Sequence, residues 1–357
     1  MNIWHIIPTT NPGGIEVFAK SLIKDFPTKA NHIIFSIGNV DGIMVEEFKK
    51  IADLRKLSNN RNFKSIFRTI RLFKNQKPDA IIIHTLNSSL LNFILIAKIF
   101  RVSKVIILVG NPPFKEFLFK LKIFIFFLRL FKVPLVCCSK FVFDEFKKNF
   151  KLPQKSKYIR YGCNLLKSEF AIKNFKEKLI KNKKLIITMV ARLDDIKDHE
   201  TLIKAFLSIK SDKWLLQFVG GGRKEVYLKN LVNSLNGNNS IKFLGSRNDV
   251  LNILANTEIF AFSTTVKEGF GIVLIEALSM GIPIIASDVP ACREVLIDGK
   301  GGILVPESNI KNWEKNLNSL MESESKRYLL ANKAKRISKY YDIKLVAKEY
   351  INLLNGI

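Results

Sequence analysis

Residues 259–286 read IFAFSTTVKEGFGIVLIEALSMGIPIIA. An apolar run, Ile259–Phe262, passes through a loop with glycine at 269 and 271 into a helical pattern at 270–280. A second apolar run follows at Ile282–Ala286. Strand, helix and strand in so short a stretch, with runs apolar enough to be buried on both faces, imply a parallel sheet covered by helices.

The same alternation extends outward in both directions. The second half offers further strands at Leu185–Val190, Leu215–Val219, Ile241–Leu244 and Gly302–Val305. The first half offers Ile3–Pro8, Ile33–Ile37, Ala80–His84, Val105–Val109, Leu135–Cys138 and Tyr158–Arg160, with helices at Ile15–Phe26, Phe63–Asn75 and Asn87–Phe100 among them. An α/β protein with two doubly wound sheets follows. Asn164–Lys184, lysine-rich and strand-poor, suits a linker, and everything from Asn309 onward reads as helix. The expected domains are 1–165 and 166–340, with a final helix at 341–357 that packs back on the first domain.

A chain of 357 residues is long enough for two such cores, and its composition, 47% hydrophobic and 25% charged, is unlike that of a disordered protein. The net charge of +27 is uneven: residues 1–165 carry 28 Lys and Arg against 10 Asp and Glu. The first half is therefore the better candidate to meet an acidic surface or substrate. The four cysteines, Cys137, Cys138, Cys163 and Cys292, show no metal-ligand spacing and read as buried thiols of a reducing compartment. No signal-peptide pattern opens the chain, and no run approaches the roughly 20 apolar residues of a spanning helix. The expectation is a cytoplasmic protein, soluble or peripheral on the inner face of the membrane.

Two helical patterns are both basic and amphipathic. In Phe63–Asn75 the residues Phe63, Ile66, Phe67, Ile70 and Phe73 recur at helical spacing opposite Lys64, Arg68, Arg71 and Lys74. In Lys115–Lys132 the cations Lys115, Lys122 and Arg129 form a stripe on a helix otherwise packed with Phe117, Phe119, Phe124, Phe126 and Phe127. A solvated face on a core helix is one reading. An interfacial helix on anionic lipid is the other.

Chemistry-bearing residues cluster at strand ends. Glu268 precedes the helical run of the opening stretch, and Glu276 lies about two turns along it. A carboxylate within the apolar Ile275-Glu276-Ala277 segment is costly to bury without a partner. Two ribose hydroxyls would suit it, because a carboxylate accepts two hydrogen bonds side by side; a solvent-facing glutamate is the plainer alternative. Arg192 ends the strand Leu185–Val190, and Lys197 follows it. Two cations at the carboxyl end of a doubly wound strand can clamp a diphosphate and stabilise it as a leaving group without a metal. In Pro12-Gly13-Gly14-Ile15-Glu16 a strand hands over to a helix N-terminus, where backbone N–H groups can meet a phosphate. A simple tight turn is the competing reading.

Taken together, Glu268…Glu276, Arg192…Lys197, Gly13-Gly14-Ile15-Glu16 and Cys138-Ser139-Lys140 resemble glycosyltransferase family 4, retaining enzymes of the GT-B fold. The resemblance covers nearly the whole chain. It implies two Rossmann-like domains facing a central cleft, an acceptor domain first and a nucleotide-sugar donor domain second. By carry-over, Arg192 and Lys197 would hold the donor diphosphate, Glu276 the ribose, and Arg247 would lie near the base. Glu268 and the backbone at Phe270, Gly271 and Ile272 would face the transferred sugar. Gly14 would approach the diphosphate from the other domain, and His84 would reach the reaction centre. The sequence departs from the family pattern at Ile82, Ala191, Asp198 and Asn164.

The implied reaction moves a sugar with retention from a nucleoside diphosphate to an acceptor hydroxyl, with no cofactor and no metal. The basic, phenylalanine-rich first half favours a lipid-linked or surface-polysaccharide acceptor such as lipopolysaccharide or capsule. Rival readings are a GT-B sugar-nucleotide epimerase, and a basic nucleic-acid-binding protein, against which stands the want of any binding module. A dinucleotide-dependent dehydrogenase fits less well, because Gly13-Gly14 lacks the G-x-G-x-x-G spacing.

Overall fold

The computed structural model describes residues 1–26, 29–57, 63–165 and 184–357, so most of the expected linker, 166–183, lies outside the described residues. The chain divides into two compact units, Met1–Gly162 with Ile343–Ile357, and Cys163–Asp342. The final helix, Ile343–Gly356, thus belongs with the first unit, where it packs on helix Gly14–Lys24.

In the first unit the strands are β1 (Asn2–Ile7), β2 (Asn31–Ser36), β3 (Asp53–Lys56), β4 (Ala80–Ile83), β5 (Lys104–Val109), β6 (Leu135–Cys137) and β7 (Lys157–Tyr158). They form one parallel sheet in the order β3-β2-β1-β4-β5-β6-β7. In the second unit β8 (Leu185–Val190), β9 (Trp214–Val219), β10 (Ile241–Phe243), β11 (Ile259–Phe262), β12 (Ile284–Ser287) and β13 (Ile303–Val305) pair in parallel as β10-β9-β8-β11-β12-β13. Both orders reverse direction beside their first strand, between β1 and β4 and between β8 and β11. Doubly wound folds bind ligands at such reversals, outside the carboxyl ends of the strands.

The central strands are apolar because both faces are covered: Ile3, Trp4, Ile6 and Ile7 of β1, and all four residues of β11, are fully or almost fully buried. Several elements differ from expectation in their bounds or in being present at all. The edge strand β3, Asp-Leu-Arg-Lys, carries one apolar residue and gives no strand signal. The helix expected at Asn87–Phe100 opens with a 3-10 turn, Ser88–Leu90, capped by the Asn87 side chain, before Leu91–Ile99. The helix after the glycine loop starts at Ile272, not 270, so Glu276 is its fifth residue, little more than one turn along.

Both basic helices form, at Phe63–Asn75 and at Leu118–Leu130, the latter after a 3-10 turn at Lys115–Phe117. Their apolar residues are not all buried. Phe67 is 68% exposed on the basic side of its helix, while Ser65, Thr69 and Phe73 are buried. In Leu118–Leu130 the buried residues are Phe124, Ile125 and Leu128, whereas Phe119 and Phe126 face outward. Among the described residues no helix is long and apolar enough to cross a membrane. All four cysteines are buried thiols outside any disulfide.

Candidate functional site

The second unit gathers its charged groups over β8 and β11. Beyond β8 the chain turns through Ala191 to Lys197, and beyond β11 it runs from Ser263 to Gly271. The two segments are tied together by backbone. Asp198 donates its N–H to the Ser263 carbonyl at 3.1 Å, and Thr265 donates N–H and hydroxyl to the Ile196 carbonyl at 3.0 and 2.9 Å. These bonds bring Lys197 onto Glu268, where the ammonium and one carboxylate oxygen form an ion pair with side chains only 12% and 9% exposed. The ammonium also lies 4.4 Å from the Phe262 ring centroid, an arrangement that attracts a cation.

Glu268 is held on every side. Its other carboxylate oxygen accepts the N–H groups of Gly269 and Phe270 at 3.2 and 3.4 Å, and the Thr264 hydroxyl reaches the first at 3.4 Å. Burial by itself would raise the carboxyl pKa. The Lys197 charge and the two N–H groups outweigh it and hold the group below its ordinary value. Glu268 is thus ionised and fixed, with its partner cation immobilised beside it.

Arg192 contrasts with this pair. Its side chain is 66% exposed, and its guanidinium lies 3.2 Å from the flanking Asp194. It stays accessible to an anion, unlike the buried Lys197. Arg247 follows β10, at the same end of the sheet, and is paired with Asp249 through two bonds of 2.7 Å. Glu276 is half-buried on helix Ile272–Ser279. That helix opens at Gly271, whose φ of +81° is open to glycine and rarely to other residues. Phe270 and Ile272 are buried on either side.

A third segment packs beside these loops. Gly220-Gly221-Gly222 follows β9 and packs against the arginine turn: Leu193 donates its N–H to the Gly221 carbonyl at 3.0 Å. Gly220 has φ +138°, and a β-carbon there would sit 2.1 Å from the Ala191 carbonyl oxygen. Only glycine lets the two loops approach so closely.

In the first unit the corresponding reversal is flanked by Gly13-Gly14 and His84. Gly13 caps helix Gly14–Lys24, and the buried Glu16 folds back toward it, accepting the Thr9 hydroxyl at 3.2 Å. His84, just past β4, is 1% exposed and belongs to a row of three rings. His5 Nδ1 lies 3.0 Å from His84 Nε2, and His5 Nε2 lies 2.9 Å from His32 Nδ1. Burial lowers all three, His84 to about 3 and His32 to about 4, so each is neutral near pH 7.

Two family patterns match this chain: the one described as "Glycosyl transferases group 1" over residues 171–340, and "Glycosyl transferase 4-like" over residues 32–145. The chain belongs to glycosyltransferase family 4. A Campylobacter jejuni protein named N-acetylgalactosamine-N,N'-diacetylbacillosaminyl-diphospho-undecaprenol 4-alpha-N-acetylgalactosaminyltransferase is 30% identical over 222 residues, 61% of this chain and 59% of its own. The amylovoran biosynthesis glycosyltransferase AmsD of Erwinia amylovora is 25% identical, over 86% of each chain. The first curated relatives are matched over 59% and 51% of their own lengths. Among solved structures, Anabaena Alr3699/HepE in complex with UDP-glucose superposes with a TM-score of 0.86, 19% identity and complete coverage of both chains. That likeness establishes the GT-B fold.

Of the candidate residues in this family 4 chain, Arg192, Lys197, Arg247, Glu268, Phe270, Gly271, Ile272 and Glu276 lie in the second unit. Two features escaped sequence reasoning. The Lys197–Glu268 pair spans 71 residues and is created by the adjacency of β8 and β11. The three glycines after β9 were legible as a run directly following an apolar strand, the signal that should have marked them. Gly14 and His84 lie in the first unit.

Proposed function

We propose that this chain is a retaining glycosyltransferase that takes its sugar from a nucleoside diphosphate and delivers it to a hydroxyl of a lipid-linked or surface-polysaccharide glycan. The observation that carries the reading is the cluster of charged side chains on the loops that follow β8 and β11. An exposed arginine, Arg192, follows β8, and an immobilised, buried Lys197–Glu268 pair joins the two loops, at the reversal of a doubly wound sheet.

Each residue then has a task. Arg192 offers a planar fork to the diphosphate oxygens. Lys197 has three donors and gives one to Glu268, so it retains capacity for a phosphate oxygen as negative charge accumulates there. Because Glu268 fixes the ammonium in place, no reorganisation is needed when the leaving group departs. Glu268 in turn faces the transferred sugar, with the backbone of Phe270, Gly271 and Ile272. Glu276 accepts the ribose hydroxyls, and Arg247 lies near the base. The bond between the anomeric carbon and the phosphate oxygen breaks while the acceptor oxygen bonds on the same face. The acceptor proton passes to the departing phosphate oxygen, and no carboxylate nucleophile takes part, unlike in retaining hydrolases. In this reading the first unit, which carries Gly14 and His84, binds the acceptor. No metal or cofactor is required.

The lipid-linked acceptor follows from kinship with the Campylobacter jejuni enzyme, whose name specifies a diphospho-undecaprenol substrate, and from the basic first half. Such an acceptor places the enzyme on the membrane surface. The epimerase and nucleic-acid readings gain nothing from the family matches. The deciding experiment incubates the protein with UDP-, GDP- and ADP-sugars and a polyprenyl-diphosphate glycan, and reads the anomeric configuration of the product by proton NMR. Transfer with the donor's configuration is expected. An inverted product, or an isomerised free donor without transfer, overturns the proposal.

A further inference from the structure

Helix Leu118–Leu130 is apolar on two opposite sides. Its core side presents Phe124, Ile125 and Leu128, all buried. Its outer side presents Phe119, Ile123, Phe126 and Leu130, exposed by 76, 46, 58 and 62%. The spacing of these four, i, i+4, i+7 and i+11, aligns them in one stripe along the whole helix. At 100° per residue, Lys122 and Arg129 fall along one margin of the stripe and Lys120 along the other. Phe117, 50% exposed, lies just upstream in the 3-10 turn, next to the exposed Lys115 and Glu116.

The fold adds the second basic helix to the same side. Helix Phe63–Asn75 joins β3 to β4, and helix Leu118–Leu130 joins β5 to β6; both crossovers advance in the same direction along the sheet. Right-handed crossovers therefore place them on one face. Helix Leu91–Ile99, which joins β4 to β5, lies there too and packs on the first through Phe93 and Phe73, their rings 5.4 Å apart. On helix Phe63–Asn75 the exposed Phe67 stands among the exposed Lys64, Arg68, Arg71 and Lys74.

We propose that this face of the first unit is a docking surface for an anionic lipid bilayer, into which Phe119, Ile123, Phe126 and Leu130 insert while the flanking lysines and arginines engage headgroups. Charge selects this occupant. Every charged residue on the two helices is a cation, so a second copy of the same face would be repelled, whereas acidic headgroups would be attracted. An apolar stripe edged by long basic side chains is also the anatomy of a helix lying in the membrane interface, where those side chains reach up to the headgroups. The purpose assigned to the surface rests on the lipid-linked acceptor proposed above, but binding itself does not depend on it.

The test uses the full chain without donor or acceptor, so that it cannot fail for want of catalysis. Co-sedimentation is measured with vesicles of neutral phosphatidylcholine alone and with about one third phosphatidylglycerol. Binding only to the anionic vesicles, weakening as salt rises, is expected. The double substitution Phe119→Ser with Phe126→Ser should lower partitioning at least tenfold. Lys122→Glu with Arg129→Glu should lower it by a further margin, about fivefold for each charge lost. Both pairs lie on exposed positions, and unchanged melting temperatures would verify folding. Absence of binding to anionic vesicles, or binding undiminished by the serine substitutions, overturns the proposal. So does a concentration-dependent dimer in light scattering that those substitutions abolish, which would assign the stripe to a second copy.

Discussion

Lys197→Ala strips the cation from a pair whose side chains are 12% and 9% exposed. Glu268 keeps Thr264, Gly269 and Phe270 as hydrogen-bond donors, so it loses its charge partner and not its whole environment. Breaking a buried pair from one side costs about 3–5 kcal/mol, and the remaining donors argue for the lower end, about 3 kcal/mol. For a unit of this size that corresponds to a melting temperature lower by roughly 6–12 °C. Adding Glu268→Gln removes the stranded charge, so the double variant should regain about 1–3 kcal/mol over the single one. The pH dependence has a definite sign. In the wild type the Glu268 pKa is lowered, so its contribution is present above the unfolded value and is lost as pH falls. In Lys197→Ala, burial dominates and raises it, so stability lost at pH 7 is partly recovered on acidification. Scanning calorimetry of wild type, both single variants and the double variant at pH 7 and 5 measures all of this. A penalty below about 1 kcal/mol at pH 7, or strictly additive substitutions, would refute the claim that the two charges depend on each other.

Two further outcomes follow from other features. Gly220→Ala forces a β-carbon against the Ala191 carbonyl at a φ of +138°; the second unit should lose roughly 2–4 kcal/mol and donor affinity with it, and an unperturbed melting curve would show that the two loops do not meet. The protein's only histidines, His5, His32, His84 and His199, are all lowered from 6.5, chiefly by burial: His32 to about 4, His84 and His199 to about 3, and His5 well below 6.5. The unfolded chain therefore binds more protons below about pH 6.5, and stability should be full above that value and decline as pH falls. At pH 5.5 unfolding should take up roughly three to four protons, measured by calorimetry in buffers of different ionisation heat; an uptake below one would contradict the buried neutral row.

How much of this was legible in the sequence depended on what each residue type reveals by itself. Strands buried on both faces must be apolar throughout, so Leu185–Val190 and Ile259–Phe262 were read to the residue. An edge strand has no such requirement, and Asp53–Lys56 passed unseen. Candidate donor residues were found because glycine and charge stand out at strand ends. Their partnerships were not, because Lys197 meets Glu268 only once β11 lies beside β8. The histidine row was equally hidden: His5, His32 and His84 lie on three strands, and only the register of β1 with β2 and β4 lines them up. On helix Leu118–Leu130 the sequence left open whether the phenylalanines pack as core or face a lipid surface, since an apolar residue on a helix does not announce whether its face is covered.

The central claim is that the crevice over β8 and β11 holds a nucleoside diphosphate sugar. It is tested most directly by isothermal titration of UDP-, GDP- and ADP-sugars into the wild type, Arg192→Ala and Glu276→Ala. Charge-assisted hydrogen bonds contribute about 1.5–3 kcal/mol each, so one of these nucleotides should bind the wild type and lose roughly 10- to 150-fold in affinity in each variant. Binding of none of them, or equal affinity in all three proteins, would contradict the account.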